Sequence, residues 1–219
     1  MQVRILAFRF VNKIYITKEI KMLKKRVAVL LADGFEEGEA VVFIDIMRRL
    51  DIEVDVLSSM KTTALKSYFE TRITADHTLD SRVTETYDAV MMPGGPVGTD
   101  NLSANTQVIS FIKRHMQEGK YICALCSSGA KVLAAHDLLE GKNYTTGDGL
   151  SDKYADGNYQ QKKVVIDGNI VTGRGLGVSF EFAFSVAKLL LGDERDPKRD
   201  RNKVDWQADH IYFEHWPVS

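Results

Sequence analysis

The run "RVAVLLA" (26–32) is continuously apolar, "AVVFIDIMRRL" (40–50) repeats its apolar residues at helical spacing, and "DIEVDVLSS" (51–59) turns apolar again. Strand, helix and strand in that order make a βαβ unit, whose strands lie parallel in a sheet covered on both faces. The alternation recurs. "YDAVMMPGG" (87–95) reads as a buried strand halted by Pro and Gly. "SANTQVISFIKRHMQEG" (103–119) reads as an amphipathic helix with Ser103 as N-cap and Gly119 at its end, and "YICAL" (121–125) as the next strand. A helix is expected from about Ser128 to His136, a hairpin over 162–175 turning at Asp167-Gly168-Asn169, and a closing helix over 179–192. The pattern predicts an α/β fold with a mostly parallel sheet and helices on both faces, in which chemistry gathers at the carboxyl ends of the strands.

A chain of 219 residues suits one core with extensions. Hydrophobic residues make up 44% and charged residues 27%, and no uncharged apolar run approaches the roughly 18 residues that span a bilayer, so no membrane span is expected. A net charge of −1 gives no global attraction for nucleic acid or an anionic membrane, which leaves a small molecule as the expected partner. Two cysteines provide no disulfide framework, which points to a reducing compartment and a cytoplasmic location. Residues 1–25 carry seven Lys or Arg against Glu19 alone and lack a secretory apolar core; the alternatives are an organelle-targeting arm, although such arms are rich in serine and this segment has none, and an upstream start before Met22 or a tag-like appendage. The chain therefore divides into an N-terminal extension (1–25), a body (26–192) and a C-terminal extension (193–219). In the last, "DERDPKRDRNK" is a solvated charge run, and "VDWQADHIYFEHWPVS" holds both tryptophans, an aromatic density that predicts docking on the body or on a partner subunit.

Cys126 sits where the strand "YICAL" gives way to helical sequence. A nucleophile at such a corner is lifted out of the sheet on a tight turn, which the small Ser127, Ser128 and Gly129 permit, and the N–H groups of the following helix are expected to lower its thiol pKa. A buried structural cysteine is the alternative. Cys123 and Cys126 also form a C-x-x-C. Along a strand three steps of about 3.3 Å put their Cα atoms about 10 Å apart, beyond the roughly 7 Å limit for a bridge, so Cys123 is assigned to the core; a helix starting earlier would restore the dithiol. The five histidines show no metal-ligand spacing: His210 and His215 lack a HExxH pattern or a cysteine partner, and His77, His115 and His136 read as surface or capping residues.

Four segments, "AVLLADGFEEGEAVVFIDIMRRLDIEVDVLS", "YDAVMMPGGPVGTDNLS", "ICALCSSGAKVLAA" and "VTGRGLGVSFEFAFSVAKLLLG", together resemble the ThiJ/PfpI superfamily, and within it the Parkinsonism-associated protein deglycase branch. The resemblance covers about residues 26–192. It implies a flavodoxin-like three-layer sandwich, a homodimer involving the helix "EAVVFIDIMRRL" with Arg48 or Arg49 at the interface, and a reactive cysteine on a nucleophile elbow beside a protonated glutamate. Carried over by position, Cys126 is the nucleophile, Glu39 the glutamate bonded to it, and Glu36 the acid nearer the pocket mouth. Gly94 and Gly95 are the strand-end glycines, with the N–H groups of Gly95 and Ser127 forming an oxyanion hole. Arg174, Gly175, Leu176 and Gly177 form the pocket-edge loop, a stretch that lacks the spacing of a phosphate-binding glycine loop.

The chain departs from that pattern in places. Ser127 stands where protease-like and glyoxalase members carry histidine, and "YTTGDGL" supplies Gly147 and Asp148 where a pocket histidine is common, leaving Asp148 as a substitute acid-base candidate. The resemblance implies a slow, cofactor-independent glyoxalase or deglycase acting on methylglyoxal-type dicarbonyls or their adducts. The other reading is an oxidative-stress sensor or redox-regulated chaperone working through oxidation of Cys126. A protease lacks its Cys-His adjacency here.

Overall fold

A computed structural model describes residues 24–214 and 216. Seven strands form the central sheet: β1 (Arg26–Leu31), β2 (Glu53–Ser58), β5 (His77–Thr78), β6 (Ala89–Met92), β7 (Tyr121–Leu125), β10 (Val164–Asp167) and β11 (Ile170–Gly173). Their spatial order is β10-β11-β7-β6-β1-β2-β5, and only the β10–β11 pair at one edge is antiparallel. Register is in step across the centre, with Val29 beside Val56 on one side and Met91 on the other. Three two-stranded ribbons stand outside the sheet: β3 (Ala64–Lys66) with β4 (Arg72–Thr74), β8 (Asn143–Tyr144) with β9 (Asn158–Tyr159), and β12 (Arg195–Asp196) with β13 (Arg201–Asn202).

Strand alternation divides the core in two. Val27, Val29 and Leu31 of β1 and Cys123 and Leu125 of β7 face α1 (Glu37–Arg49), α5 (Ser179–Leu191) and α6 (Lys203–His210), packing among Phe43, Phe182 and Phe184. Ala28, Leu30, Ile122 and Ala124 face the opposite layer, which holds Leu102 of α3 (Pro96–Ala104) and Val108 and Phe111 of α4 (Thr106–Gln117); a short α2 (Leu79–Arg82) follows β5. This is the flavodoxin-like α/β sandwich, and none of its described helices is long and apolar enough to cross a membrane.

Three expectations are corrected. The helix read over 103–119 is two helices broken at Asn105, whose side chain accepts from the backbone N–H groups of Gln107 and Val108; Asn105 is the cap, and Ser103 instead bonds the His136 ring at 2.9 Å. The stretch after the cysteine is a π-helical turn (Gly129–Leu133) and a 3-10 turn (Ala134–His136). His115, read as a surface or capping residue, is fully buried: its Nδ1 donates to Phe111 O at 2.8 Å, and its Nε2 accepts from Tyr87 N at 3.1 Å.

The C-terminal segment lies on the α1/α5 layer, where Val204 and Ala208 of α6 are fully buried. Phe213 stacks on Phe184 with centroids 5.6 Å apart, and the Trp216 Nε1–H donates to Asp205 at 2.9 Å. Residues 1–23, 215 and 217–219 lie outside the described residues, as do the expectations placed on them.

Candidate active site

β7 delivers Cys126 to the carboxyl edge of the sheet, and the chain turns there with Cys126 at φ +58°, a left-handed conformation that costs a residue with a Cβ about 1–3 kcal/mol. Four contacts hold the turn. Cys126 N donates to Gly173 O at 2.8 Å, Cys126 O accepts from Thr146 Oγ1 at 2.8 Å and from Gly147 N at 3.3 Å, and Ser128 Oγ donates to Pro93 O at 2.6 Å. Cys123, three residues back along the extended strand, is buried in the core, and both thiols are free.

Glu39, in the first turn of α1, is fully buried and meets the cysteine from the helix that follows β1, two strands along the sheet from β7. Its Oε2 accepts from Gly94 N at 2.6 Å, while Oε1 has no hydrogen-bond partner among the described residues. Gly94 allows this approach: a Cβ there would stand 2.6 Å from Cys126 Cβ and 3.0 Å from Sγ. Gly95 adopts φ +99° at the N-cap of α3, and its carbonyl accepts from Thr99 N and Thr99 Oγ1, both at 2.9 Å. Thr99 Oγ1 also lies 3.2 Å from Ser127 Oγ, tying the glycine turn to the elbow.

Burial raises the Glu39 carboxyl to about 7, against the N–H of Gly94 that favours its anion. The thiol departs from expectation. Burial and then the Glu39 charge push Cys126 up to about 12, and the Ser127 N–H only partly offsets them. A short π turn starting three residues beyond the sulfur does not outweigh the loss of solvent. Glu39 and Cys126 therefore compete for protons, and the carboxyl is the first to ionise as pH rises.

The remaining expected residues take rim positions. Glu36, half-buried at the start of α1, is raised by burial, opposed by its hydrogen bond from Gly38 N and reinforced by the charge of Glu37. Leu176 is 53% exposed and lies over Gly38. Asp148 forms an exposed ion pair with Arg174, its Oδ1 accepting from Arg174 Nε at 3.2 Å, so the two loops that carry them are strapped together. Between these loops the sulfur has open flanks, since Cβ atoms placed on Gly147 and Gly175 would each lie 3.7 Å from it. Thr99, Thr146 and Gly173 were not singled out in the sequence. Thr99 carried a usable signal, one helical turn after Gly95; Gly173 acts through its carbonyl, which any residue supplies. Among the described residues no cluster of three or more His, Cys, Asp or Glu is arranged to hold a metal.

A parallel sheet with a left-handed cysteine at a strand end, set against a buried carboxyl from the first turn of α1, defines a nucleophile-elbow α/β protein. The chain belongs to the DJ-1/PfpI family, whose model matches residues 25–189. It is 38% identical over 179 residues to the Parkinson disease protein 7 homolog of Danio rerio, covering 79% of this chain and 93% of that one. It is 29% identical to the glutathione-independent glyoxalase DJR-1.2 of Caenorhabditis elegans, over 78% of this chain and 91% of the relative. A cysteine-to-alanine variant of a DJ-1 superfamily protein from Salmonella typhimurium superposes with a TM-score of 0.81 at 46% identity, covering 86% of this chain and 98% of that one. The chain spans only 39% of the length of the Arabidopsis thaliana DJ-1 homolog B, to which it is 31% identical.

Proposed function

We propose that the protein is a cysteine-dependent glyoxalase or deglycase-type enzyme acting on methylglyoxal-type dicarbonyls or their early adducts. The observation that carries this reading is the elbow sulfur set against a buried carboxyl raised to about 7. Similarity to a relative named as a glyoxalase supports it.

Ionised Glu39 takes the proton of the Cys126 thiol, and the sulfur attacks the aldehyde carbon. The carbonyl oxygen becomes an alkoxide held by the N–H groups of Gly95 and Ser127, and the Glu39 acid returns a proton to it, giving a hemithioacetal. Glu39, again a carboxylate, removes the proton from the former aldehyde carbon and delivers it to the adjacent carbon by way of an enediol. One carbon is oxidised to a thioester while its neighbour is reduced to an alcohol. Water cleaves the thioester, releasing lactate and the thiol. Moving the thiol proton to Glu39 is uphill, which fits slow turnover. Lactate formation from methylglyoxal tests the reading: Cys126→Ala and Glu39→Ala lose it, and full activity in either would refute the assignment.

The orphan Oε1 of Glu39 favours a second use of the same site. A protonated carboxyl there would donate to an oxygen added on sulfur, as a peroxide sensor requires. Mass spectrometry after mild peroxide treatment should then find two added oxygens on Cys126; preferential oxidation of the buried Cys123 would count against it.

The assembly we propose is a homodimer through the outer face of α1. Val41, 49% exposed, lies one turn beyond Gly38, which Leu176 overlies. A sedimentation mass equal to one chain at every concentration would dismiss it.

A further inference from the structure

The elbow sulfur is open on two sides, at Gly147 and Gly175, and a charged residue stands next to each of these glycines. The two, Asp148 and Arg174, are bonded to each other, Arg174 Nε and Nη2 both donating to Asp148 Oδ1, so their charges cancel. Other cations on the elements around the elbow are committed in the same way. Lys131, in the π-helical turn after Cys126, pairs with Asp100 at 2.6 Å and donates to Pro96 O at 3.0 Å, and Lys66 on the β3–β4 ribbon pairs with Glu70 at 3.0 Å.

The acids at the start of α1 have no such partners. Glu36, half-buried, accepts from Gly38 N and has no ion pair among the described residues. Its Oε1 lies 3.5 Å from the position that a Cβ on Gly38 would take, a point that Leu176 Cδ1 approaches to 2.6 Å, so the carboxyl stands beside the exposed leucine at the pocket edge. Glu36 N donates to Gly94 O at 2.9 Å, which fixes this residue against the glycine that touches the cysteine. Glu37 is engaged elsewhere, its carboxyl accepting from Thr71 Oγ1 at 2.9 Å and from Phe69 N at 3.4 Å. Glu37 and Glu39, both in the first turn, also offset the partial positive charge of the α1 N-terminus. Burial is the main cause that raises Glu39 and Cys126, the Glu36 charge adds to both, and no cation is among the main influences on either. The field at the sulfur is therefore set by carboxylates.

We propose that Glu36 selects substrates for the elbow site by charge: neutral and cationic carbonyl compounds, meaning the free dicarbonyl and its adducts with amines, are admitted, and carbonyl compounds that carry a carboxylate are turned away. The substrate class rests on the glyoxalase or deglycase reading. The selection by charge does not, because it acts on any molecule that approaches the sulfur.

The test is the rate of alkylation of Cys126 in the full chain, followed by mass spectrometry at about pH 8 and low salt, with neutral iodoacetamide, anionic iodoacetate and cationic bromoethylamine. The small thiol N-acetylcysteine amide is the reference. All three reagents consume the same thiolate, so their ratios cancel its pKa and report the charge of the reagent. Relative to the reference, iodoacetate should be disfavoured about threefold or more and bromoethylamine favoured. Both ratios should return towards the reference in Glu36→Gln, which keeps an oxygen for Gly38 N, and in about 1 M salt, where the screening length falls to about 3 Å. With turnover as the readout, kcat/KM for 4,5-dioxopentanoate, an oxoaldehyde bearing a carboxylate, should rise in Glu36→Gln relative to that for methylglyoxal. Ratios equal to those of the reference thiol, or ratios that stay displaced in Glu36→Gln, overturn the proposal. Charge ordering without lactate from methylglyoxal upholds the selection and ends the enzymatic reading instead.

Discussion

Replacing Glu39 by glutamine separates two effects that the carboxyl combines, repulsion of the thiolate and acceptance of its proton. Burial is the larger cause of the raised thiol, and the Glu39 charge the next. Glutamine removes that charge and keeps an oxygen for Gly94 N and an N–H for the sulfur. In Glu39→Gln the thiol pKa should therefore fall, and alkylation of Cys126 at neutral pH should become faster. Lactate formation should nonetheless fall by about 10²–10⁴-fold, because the proton acceptor is gone. Faster alkylation with retained turnover, or slower alkylation, would contradict this division of roles. In wild type the reactive pair holds one proton, so kcat/KM should rise as pH rises through about 7, where Glu39 ionises, and that inflection should vanish in the variant. The partnership of Cys126 and Glu39 was legible through the strand-turn-helix pattern and the family resemblance. The direction of the thiol shift was not, because a sequence gives the helix that follows a cysteine but not how much solvent the fold removes from its sulfur.

At the scale of elements, α4 depends on Asn105. Its Oδ1 takes two of the orphan N–H groups, and its Nδ2 donates to Ser59 O at 3.0 Å, joining the helix to the end of β2. Asn105→Ala should cost about 1–2 kcal/mol, a drop in Tm of several degrees by thermal unfolding, with Cys126 reactivity unchanged. Ser103→Ala should cost less, since Ser103 caps nothing. "SANT" offers three cap-competent side chains within four residues, so local sequence placed a helix there without selecting its first turn. At the far end of α4, His115 joins the helix to the start of β6. Burial lowers its pKa against the Phe111 carbonyl, which favours the cation, with lesser influence from Arg114, Glu118 and Lys120. The neutral ring is the form that folds. Its contribution is thus fully present above the unfolded value near 6.5 and is lost as pH falls below it towards the depressed folded value. Denaturant midpoints measured between about pH 7 and pH 5 should decline, and His115→Gln should flatten the part of that decline due to this ring. Periodicity made α4 amphipathic without revealing that position 115 lies on its buried face, because polar residues are normally assigned outward.

For the whole molecule, the question is whether the C-terminal segment belongs to the fold or merely follows it. That the central strands run parallel was legible from alternating apolar runs, since a parallel pair demands a crossover and helices were read between β1 and β2 and between β6 and β7. The C-terminal segment had only its aromatic density to speak for it, and its charged half was read as solvated. The structure turns that half into β12 and β13, bound by surface pairs such as Arg199 with Asp196, which add little by themselves. The aromatic half is different. Val204 and Ala208 are fully buried, and Phe213 and Trp216 cover Phe184, itself a fully buried residue of α5. Full burial of an apolar side chain such as Val204 is worth about 1.5–3 kcal/mol, and the half-buried Phe213 and Trp216 add part of that each, a sizeable share of the 5–15 kcal/mol that holds a typical domain together. A chain ending at Gly192 should consequently lose much of its stability, open Phe184 to solvent and uncover more of the already exposed Phe180. Its unfolding midpoint in urea should fall sharply, and a hydrophobic dye should bind where it does not bind the full chain. If the shortened chain instead unfolds at the same midpoint, the segment is an appendage. The same measurement bears on the sheet, because α5 is held between α1 and α6: loosening one side of α5 should also loosen Glu39 at the start of α1 and raise the rate at which Cys126 is alkylated.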